Sequence, residues 1–377
     1  MVEKYSFGIE PLPHHAWNAT KQQVAVAPNN QEIRIYQHDK SSNDWAQLDT
    51  LNRHDLKVTG VDWAPKTNRI VTCSEDRDAY VWEKGTDGKW TPTQVLLRIN
   101  RAATCVKWSP QENKFAAGSG ARIISICYFE KANNWWVSKH IKKPIKSTVN
   151  TIDWHPNNVL LAAGSADFKV KVFSAFIKDI KETCPETAWG SNTNSLGNLL
   201  VEFNNSSCFG GWIHCLSFSS DGNRLCWVAH DSSISVADVT QGSPVVFKLR
   251  TDTLPFLSCV WVNSTYIVAA GHSCCPLLYA VDANNQIKFV CKLDRSQKKE
   301  GSGLSAMRKF QSLDRQAKAE NDTSLDTVHQ NSIKSMQIYS SSDGTVTKLS
   351  TTGLDGQLVI WDLNFQGLES GIQGLKI

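Results

Sequence analysis

The chain has 377 residues, 41% of them hydrophobic, and a formal net charge of +4. So small a charge lacks the concentrated basic surface that nucleic-acid binding usually requires. The sequence contains no apolar run of about 18 residues that could span a membrane. Its first residues also lack the basic and apolar regions of a signal peptide. The composition therefore favours a globular protein with a large core.

The chain is organised as a repeat of about 45 residues, marked by short segments that end in a large apolar residue. The clearest copies end at Trp17, Trp63, Trp108 and Trp154, and weaker copies end at Phe218, Trp261 and Ile338. Repeats of this length, with four short strands each, are typical of a WD-type propeller. The sequence predicts an all-β fold: a single seven-bladed WD40 β-propeller over residues 1–377.

The last repeat predicts how the ring closes. Its third strand ends at Trp361–Asp362, the one intact Trp-Asp pair in the sequence, and no fourth strand is evident after it. The stretch Tyr5–Ile9 has a strand-like pattern and precedes the first anchor. We expect this N-terminal strand to complete the seventh blade, because closure removes exposed sheet edges.

Two repeats carry the residues of a buried hydrogen-bond network, in which a histidine, a carboxylate, a hydroxyl and an indole satisfy one another. These residues are His54, Ser74, Asp76 and Trp82 in the second repeat, and His329, Asp355 and Trp361 in the last, where Gly353 replaces the hydroxyl. A Ser-His-Asp set also invites a catalytic-triad interpretation. The spacing is that of the blade itself, so the sequence predicts a structural network, no enzyme activity, and no catalytic, cofactor or metal site.

The first departure from the repeat spacing is an insertion over residues 174–208. It contains Phe176 and Trp189 within a polar, turn-rich sequence. We expect a long interblade connection that packs these two aromatic residues on the rim. Binding of a partner is the alternative, because insertions in repeat proteins are surface loops that often bind other proteins.

The second insertion, over residues 295–328 between blades six and seven, predicts a flexible loop with an amphipathic helix near 304–318. The apolar stripe of this helix consists of Leu304, Met307, Phe310, Leu313 and Ala317. Basic residues, including Arg308, cover the remainder. A helix this short is marginal alone, so the stripe must be buried. It either packs back onto the propeller or docks in a groove of another protein, and the flexible tethers favour docking.

A third candidate surface combines paired tryptophans with lysines. Its residues are Trp135, Trp136, Lys139, Lys142, Lys143 and Lys146. An aromatic anchor beside positive charge could hold an acidic peptide. The alternative is that one tryptophan belongs to the core and the lysines lie on a solvated connection.

Several segments are far more specific than general propeller sequence. They are residues 15–18, 135–147, 153–165 and 303–314. Together they closely resemble the WD-repeat subunit family of the Arp2/3 complex, the seven-subunit assembly that nucleates branched actin filaments. The resemblance covers essentially the whole chain, including both insertions.

The resemblance implies a non-catalytic scaffold in the cytoplasm, at the actin cytoskeleton. Its implied partners are the other subunits, including two actin-related proteins, the actin filament, and the acidic tails of nucleation-promoting factors. Family members reach the mother filament through a protruding helix, which here would present Leu304, Met307, Arg308, Phe310 and Leu313. Charge alone assigns the acidic tails to the surface at Trp135–Lys146. The alternative function is a WD-repeat adaptor of another cytosolic assembly, such as a ubiquitin ligase or a coat.

Overall fold

The computed structural model describes residues 2–39, 41–42, 44–183, 186–205, 210–282, 285–294 and 325–363. In these ranges the chain forms 28 β-strands and no helix. The strands of blades one to four are β2 His14–Trp17, β3 Gln23–Ala27, β4 Glu32–Asp39, β5 Asp44–Asn52, β6 Val58–Trp63, β7 Ile70–Ser74, β8 Ala79–Lys84, β9 Trp90–Val95, β10 Ala103–Trp108, β11 Lys114–Ser119, β12 Ile124–Glu130, β13 Trp135–Ile141, β14 Val149–Trp154, β15 Leu160–Ser165, β16 Lys169–Ser174 and β17 Leu199–Asn204.

The remaining strands form blades five to seven. They are β18 Ile213–Phe218, β19 Arg224–Ala229, β20 Ser233–Asp238, β21 Val245–Arg250, β22 Phe256–Trp261, β23 Tyr266–Gly271, β24 Leu277–Val281, β25 Ile287–Lys292, β26 Ile333–Ser342, β27 Thr345–Gly353, β28 Gln357–Asp362 and β1 Val2–Ser6. Every blade is a four-stranded antiparallel sheet. The predicted all-β, seven-bladed propeller is confirmed.

The seventh blade is completed by the first strand of the chain. β1 pairs antiparallel with β28, with Val2 opposite Trp361 and Tyr5 opposite Leu358. The predicted closure by an N-terminal strand is therefore confirmed, although the strand begins and ends a few residues earlier than the pattern indicated. The helix predicted near 304–318 lies outside the described residues.

The apolar core lies between neighbouring blades. Small residues dominate the second strands β11, β15 and β23, because one face of each sheet is covered by the preceding blade and the other face by the next blade. Between blades four and five, the rings of Phe203 and Trp227 stack with their centroids 5.5 Å apart. A Cβ at Gly164 would lie 2.4 Å from Cγ2 of Ile213, so this close approach of the two blades requires glycine.

The first strands of the seven blades surround a central channel of about 630 Å³. In blades two to seven the register of the first strand shifts between its first and third residues. This β-bulge leaves the second residue unpaired and redirects its side chain. The second residues of blades two to seven are Thr59, Thr104, Asn150, His214, Leu257 and Lys334, and all line the channel.

Three of these residues connect neighbouring blades. The hydroxyl of Thr59 donates to the carbonyl of Ala103, 2.8 Å away, and Thr104 donates in the same way to Val149. The Asn150 amide donates to the carbonyl of Ile213 at 3.0 Å. Each bond runs from one blade to the first residue of the next, so side chains as well as apolar packing hold this arc of the ring.

The first insertion lies inside blade four, and not between two blades as predicted. β16 ends at Ser174, and Leu199–Asn204 returns as β17 to pair with it. Most of residues 174–208 therefore form a long loop inside blade four rather than a connection between blades. Repeat spacing detects extra residues, but it does not show whether they precede or follow the outer strand. Trp189 is buried in this loop, and its indole donates to the carbonyl of Gly222 at 2.8 Å.

Candidate partner-binding surfaces

The histidine network of blade two is a buried cross-link. His54 Nδ1 lies 2.7 Å from Asp76 Oδ2, and its Nε2 lies 2.8 Å from the Thr72 hydroxyl. The indole of Trp82 donates to that same hydroxyl at 3.0 Å. The His54 side chain is 0% exposed, so a substrate has no access to it. The arrangement stabilises the blade and does not have the geometry of a catalytic site.

The hydroxyl in this network belongs to Thr72 and not, as predicted, to Ser74. Ser74 Oγ instead donates to the carbonyl of Leu56 at 2.9 Å and accepts from the Asp76 amide at 3.2 Å. Both residues lie on β7 two positions apart, so their side chains share one face. The indole of Trp82 reaches the nearer of the two.

The last blade repeats the arrangement with Thr351 as its hydroxyl. His329 Nε2 lies 2.8 Å from Thr351 Oγ1, and the Trp361 indole donates to the same atom at 2.7 Å. The loss of a hydroxyl predicted from Gly353 is therefore wrong. A Cβ at Gly353 would lie 2.6 Å from an Asp355 carboxylate oxygen, so glycine leaves the space that the carboxylate occupies.

The two network carboxylates are held in their ionised form. Burial raises the pKa of Asp76, but hydrogen bonds from His54 and from the Asp78 amide outweigh burial, so that pKa lies below its usual value. The pKa of Asp355 is lowered in the same way, with the His329 hydrogen bond outweighing burial. A charge that is compensated by hydrogen bonds stabilises the fold.

A third network joins blade one to blade seven and was missed in the sequence. His15 Nε2 lies 2.8 Å from the Ser350 hydroxyl, and its Nδ1 lies 3.0 Å from that of Thr352. The indole of Trp17 also donates to Ser350, at 2.8 Å. Burial, helped by the neighbouring His14, lowers the pKa of His15 to about 3, so the ring is neutral. The available signal was a histidine two residues before the anchor tryptophan.

The two tryptophans of the third candidate surface have different environments. Trp136 is 4% exposed and packs in the core against Trp108 and Phe115. Trp135, its neighbour on β13, is 52% exposed. Strand alternation explains the difference, because successive side chains point to opposite faces. Only Trp135 is available to a partner.

The lysines of this surface are also divided. Lys139 forms an ion pair with Asp179 of the first insertion. Lys142, Lys143 and Lys146 are exposed and follow the end of β13. Trp135 begins that strand, so about 20 Å of extended chain separates it from these lysines. The six residues therefore do not form one compact patch.

The first insertion is fixed to blades three and four by a buried ion pair. Lys114 Nζ lies 2.6 Å from both carboxylate oxygens of Glu182, and the two side chains are 0% and 2% exposed. The Asn158 amide donates to the same carboxylate at 2.6 Å. A further contact at the rim joins the Tyr128 hydroxyl to Asp179, also at 2.6 Å. The described part of the insertion is therefore a packed element of the propeller.

Large apolar side chains are exposed on the outer strands of blades five and six. Val245 and Val246 of β21 are 47% and 44% exposed, and Phe289 of β25 is 54% exposed. The two strands are in contact with each other. Successive side chains of a strand point to opposite faces, so Val245 and Val246 lie on the two sides of β21. We call Val245, Val246 and Phe289 the rim patch. Large exposed apolar side chains that lie near one another are characteristic of protein interfaces.

The second insertion leaves and re-enters the propeller at one place. The Val328 amide donates to a carboxylate oxygen of Asp294 at 2.6 Å, which joins the two ends of the segment. The predicted filament-binding residues within it lie outside the described residues: Leu304, Met307, Arg308, Phe310 and Leu313. Across the part of the chain that the structure describes, no helix is long and apolar enough to cross a bilayer, and no three potential ligand residues cluster to hold a metal.

Comparison with known families supports the repeat assignment. A family described as "WD domain, G-beta repeat" matches residues 45–83 and 138–174. Each match begins in the outer strand of one blade and ends in the third strand of the next. The sequence repeat thus begins one strand before the structural blade. For the same reason, the outer strand of the last blade, β1, comes from the start of the chain.

Full-length relatives identify the family. The chain is 52% identical over 374 residues to Actin-related protein 2/3 complex subunit 1A-B of Xenopus laevis, with 99% of each chain covered. It is 41% identical over 373 residues to Actin-related protein 2/3 complex subunit 1 of Schizosaccharomyces pombe, covering 94% of this chain and 97% of the relative. The chain belongs to the Arp2/3 complex subunit 1 family.

The match to the Arp2/3 complex subunit 1 family extends to distant organisms. Subunit 1B of Arabidopsis thaliana is 38% identical over 382 residues, with 99% of each chain covered. Because these alignments span nearly the whole chain, they pass through both insertions. The family predicted from residues 135–147 and 303–314 is confirmed.

Proposed function

We propose that this chain is a non-catalytic scaffold subunit of the seven-subunit Arp2/3 complex, which nucleates branched actin filaments at the cytoplasmic actin cytoskeleton. The observation that carries the proposal is the full-length, 52% identity to a protein named as subunit 1 of that complex. The closed ring supplies a rigid platform on which several partners, including two actin-related proteins, are held in fixed geometry.

The absence of catalysis is part of the proposal. The side chains that resemble a catalytic triad are buried and committed to the blades, as the hydrogen bonds of His54 and His329 demonstrate. A nucleophile and base must be reachable by a substrate. Function therefore rests on binding.

The rim patch is the proposed docking surface for another subunit. Val245, Val246 and Phe289 would lose their contact with water when a partner covers them, and apolar burial is the main favourable contribution to stable association. Aromatic residues such as Phe289 commonly serve as interface anchors.

The second insertion is proposed to contact the mother filament. The hydrogen bond between Asp294 and Val328 joins its ends, so the segment is attached to the ring at one point. Tethering raises the effective concentration of the apolar stripe once the rest of the complex has bound. Leu304, Met307, Phe310 and Leu313 are the proposed contacts, together with the basic residue Arg308.

The acidic tails of nucleation-promoting factors are proposed to bind the exposed lysines at the end of β13. Lys142, Lys143 and Lys146 provide positive charge without carboxylate partners in their side-chain contacts within the described ranges. Electrostatic complementarity of this kind accelerates association. Trp135 lies at the opposite end of the strand and would contact a different part of such a partner.

The composition of the native assembly tests the scaffold proposal. The tagged chain is purified from its own cytosol, and the co-purifying proteins are identified by mass spectrometry. We expect two actin-related proteins and further subunits in stoichiometric amounts. Recovery of a ubiquitin ligase or a vesicle coat instead would establish the adaptor alternative, and recovery of a monomer would refute the scaffold.

Alanine substitution tests the filament contact. The triple variant Met307→Ala, Phe310→Ala, Leu313→Ala should assemble into the complex normally but form branches at least tenfold less often. Burial of each large apolar side chain contributes about 2 kcal/mol to an interface. Branch density in a reconstituted actin assay is the measurement.

A matched variant controls for the number of substitutions. Ser305→Ala, Ser312→Ala, Gln316→Ala changes the polar side of the same predicted helix and should leave branching unchanged. Normal branching by the apolar triple variant would refute the filament contact, and equal losses in both variants would show that the stripe has no special role.

A further inference from the structure

One mouth of the central channel collects basic side chains, two lysines and three histidines. The first strands run in the same direction around the channel, so their beginnings meet at one end. His214 and Lys334 are the bulged second residues of β18 and β26, and His14 begins β2. Lys57 directly precedes β6. His272 follows β23, whose last residue pairs with the first residue of β22 and so lies at the same end.

The two sides of this mouth differ. On blades two to four the bulged residues Thr59, Thr104 and Asn150 are bonded to the next blade. On the opposite side His214 and Lys334 occupy the corresponding positions and form no such connection. The basic side chains therefore lie on the arc of the ring from blade five to blade two. Two of them have polar partners: His214 Nε2 lies 3.0 Å from His230 Nδ1, and His272 Nδ1 lies 2.9 Å from the Ser332 hydroxyl.

Negative charge is scarce at this site. Among the described residues that line the channel there are four histidines and three lysines but no aspartate or glutamate. Lys57 has an exposed partner, Glu75, at 3.3 Å, and Lys107, which lies toward the other end, is paired with Asp153. Within the described ranges Lys334 has no carboxylate at salt-bridge distance.

Burial and the nearby lysines keep the histidines of the mouth neutral at pH 7. Burial, and then the charge of Lys57, lowers the pKa of Lys334. Burial together with Lys334 and Lys57 lowers the pKa of His14 to about 3, and burial together with Lys334 and His230 lowers that of His214 to about 4. An anion placed among these groups would favour their protonated forms.

The shape of the site selects a small anion. Below these basic residues the channel is lined by apolar side chains, including Val61, Ile152, Leu216 and Met336, each at most 7% exposed. This apolar layer offers no hydrogen-bond donor to an anion, so a bound anion is favoured at the mouth. The basic residues are themselves half-buried, so a flat membrane surface would not reach them as readily as a soluble ligand.

We propose that this mouth is a binding site for a compact, multiply charged oxyanion of the phosphate class, held by Lys334, Lys57, His14 and His214 with His272 beside them. Lysine ammonium groups donate charge-assisted hydrogen bonds to phosphate oxygens, and a neutral imidazole donates an ordinary hydrogen bond through its single N–H. Several donors on different blades would hold one anion, which would add to the side-chain bonds that already join those blades.

Calorimetric titration of the full chain with pyrophosphate, in a chloride buffer at pH 7, tests the site. We expect saturable binding at one site per chain, and at least tenfold weaker binding by Lys334→Gln and by Lys57→Gln. Lys131→Gln removes the same charge from an exposed turn between β12 and β13 and should bind like the wild type. Pyrophosphate should also raise the melting temperature of the wild type, because a ligand of the native state stabilises it.

Parallel titrations separate the possible sources of the anion. Binding of pyrophosphate without binding to phosphoinositide-containing vesicles is the expected pattern. Absence of saturable pyrophosphate binding by the wild type would overturn the proposal, as would an equal loss in Lys131→Gln. Lys334-dependent binding of an acidic peptide or of vesicles, without pyrophosphate binding, would overturn it too. Melting of each variant without ligand confirms that it is folded.

Discussion

Thr72 and Thr351 occupy equivalent places in two blades that are far apart in the sequence. Each hydroxyl lies between a histidine Nε2 and a tryptophan indole. The carboxylate accepts from Nδ1, so Nε2 is an acceptor and the threonine hydroxyl must donate to it while accepting from the indole. The histidine, hydroxyl and indole of each network are then satisfied, which is the condition under which a buried polar network stabilises a fold.

Replacing Asp76 with asparagine should reveal the stabilising charge. Asp76→Asn is expected to lower the free energy of unfolding by about 1–3 kcal/mol at pH 7. The folded pKa of Asp76 is below its ordinary value, so the wild type gains stability above about pH 4 and loses it as pH falls through the folded pKa. The difference between the two proteins should therefore shrink in acid.

Urea unfolding at pH 6 and at pH 3 measures this difference. Asp252→Asn, an exposed substitution of the same kind, should behave like the wild type at both values. A deficit of Asp76→Asn that is the same at both pH values would show that the lowered pKa contributes nothing.

The partners of the network residues could be predicted where the number of residues between the strands of a blade is constant. His54, Asp76 and Trp82 have the expected partners because a fixed number of residues separates strand, turn and strand. Thr72 was missed because Thr72 and Ser74 share a face of β7 and either hydroxyl suits the pattern. Only the reach of the indole decides between them, and that depends on the register of β7 against β8.

At the scale of elements, the first insertion is built into the propeller. Its Glu182 carboxylate lies against Lys114 and Asn158 between blades three and four. A fully buried ion pair offsets its desolvation cost only when further hydrogen bonds complete it. The Asn158 amide and the carbonyl of Ala175, which accepts from Lys114, supply them.

Substitution of Glu182 should loosen this element. Glu182→Met leaves the Lys114 ammonium buried without its counter-charge and is expected to cost about 3–5 kcal/mol of unfolding free energy. The double variant Lys114→Met, Glu182→Met removes both charges and should be clearly more stable than the single variant. Urea unfolding measures both, and limited proteolysis should show earlier cleavage in the single variant.

The outcome for the double variant decides the explanation. If it is as unstable as Glu182→Met, packing of the insertion, and not the unpaired charge, causes the loss.

The sequence predicted the number of blades correctly but placed the first insertion less well. The repeat located seven blades, because each anchor and its second strand must be apolar to pack between neighbours. It misplaced the first insertion, since the outer strand Leu199–Asn204 is mostly exposed or half-buried and carries little pattern. The sequence also did not show which of Trp135 and Trp136 is buried, because this depends on how side chains alternate along β13.

For the whole molecule, stability depends on closing the ring. Tyr5 of β1 packs against Leu358 and Ile360 in the cluster shared by blades seven and one. Its ring also contacts Trp45 edge-on, with centroids 6.0 Å apart. One short strand therefore joins the two ends of the propeller through both hydrogen bonds and apolar packing.

Disrupting β1 should destabilise the entire fold. Tyr5→Ala is expected to cost about 3 kcal/mol through loss of buried aromatic surface. Deletion of residues 2–9 should do more, because it exposes the edge of β28 and promotes aggregation. Thermal unfolding and size-exclusion chromatography measure the two effects.

Lys4 provides the matched control, since it is an exposed residue of the same strand. Lys4→Ala should change stability by less than about 0.5 kcal/mol. Cooperative melting of the deletion variant at the wild-type temperature would show that the ring does not need this strand.

The joined ends of the second insertion and the pairing of β1 with β28 have a shared consequence for chain connectivity. Residues at the two extremes of the described chain are neighbours in one sheet, with Val2 opposite Trp361, and Asp294 meets Val328 at another point of the circle. A circularly permuted chain, linked across the first junction and opened in the second, would contain the same seven sheets in the same cyclic order. The cyclic order of the blades is therefore fixed, but the position of the N-terminus in the ring is not. The chain could start at a different blade and still present the same surfaces to its partners.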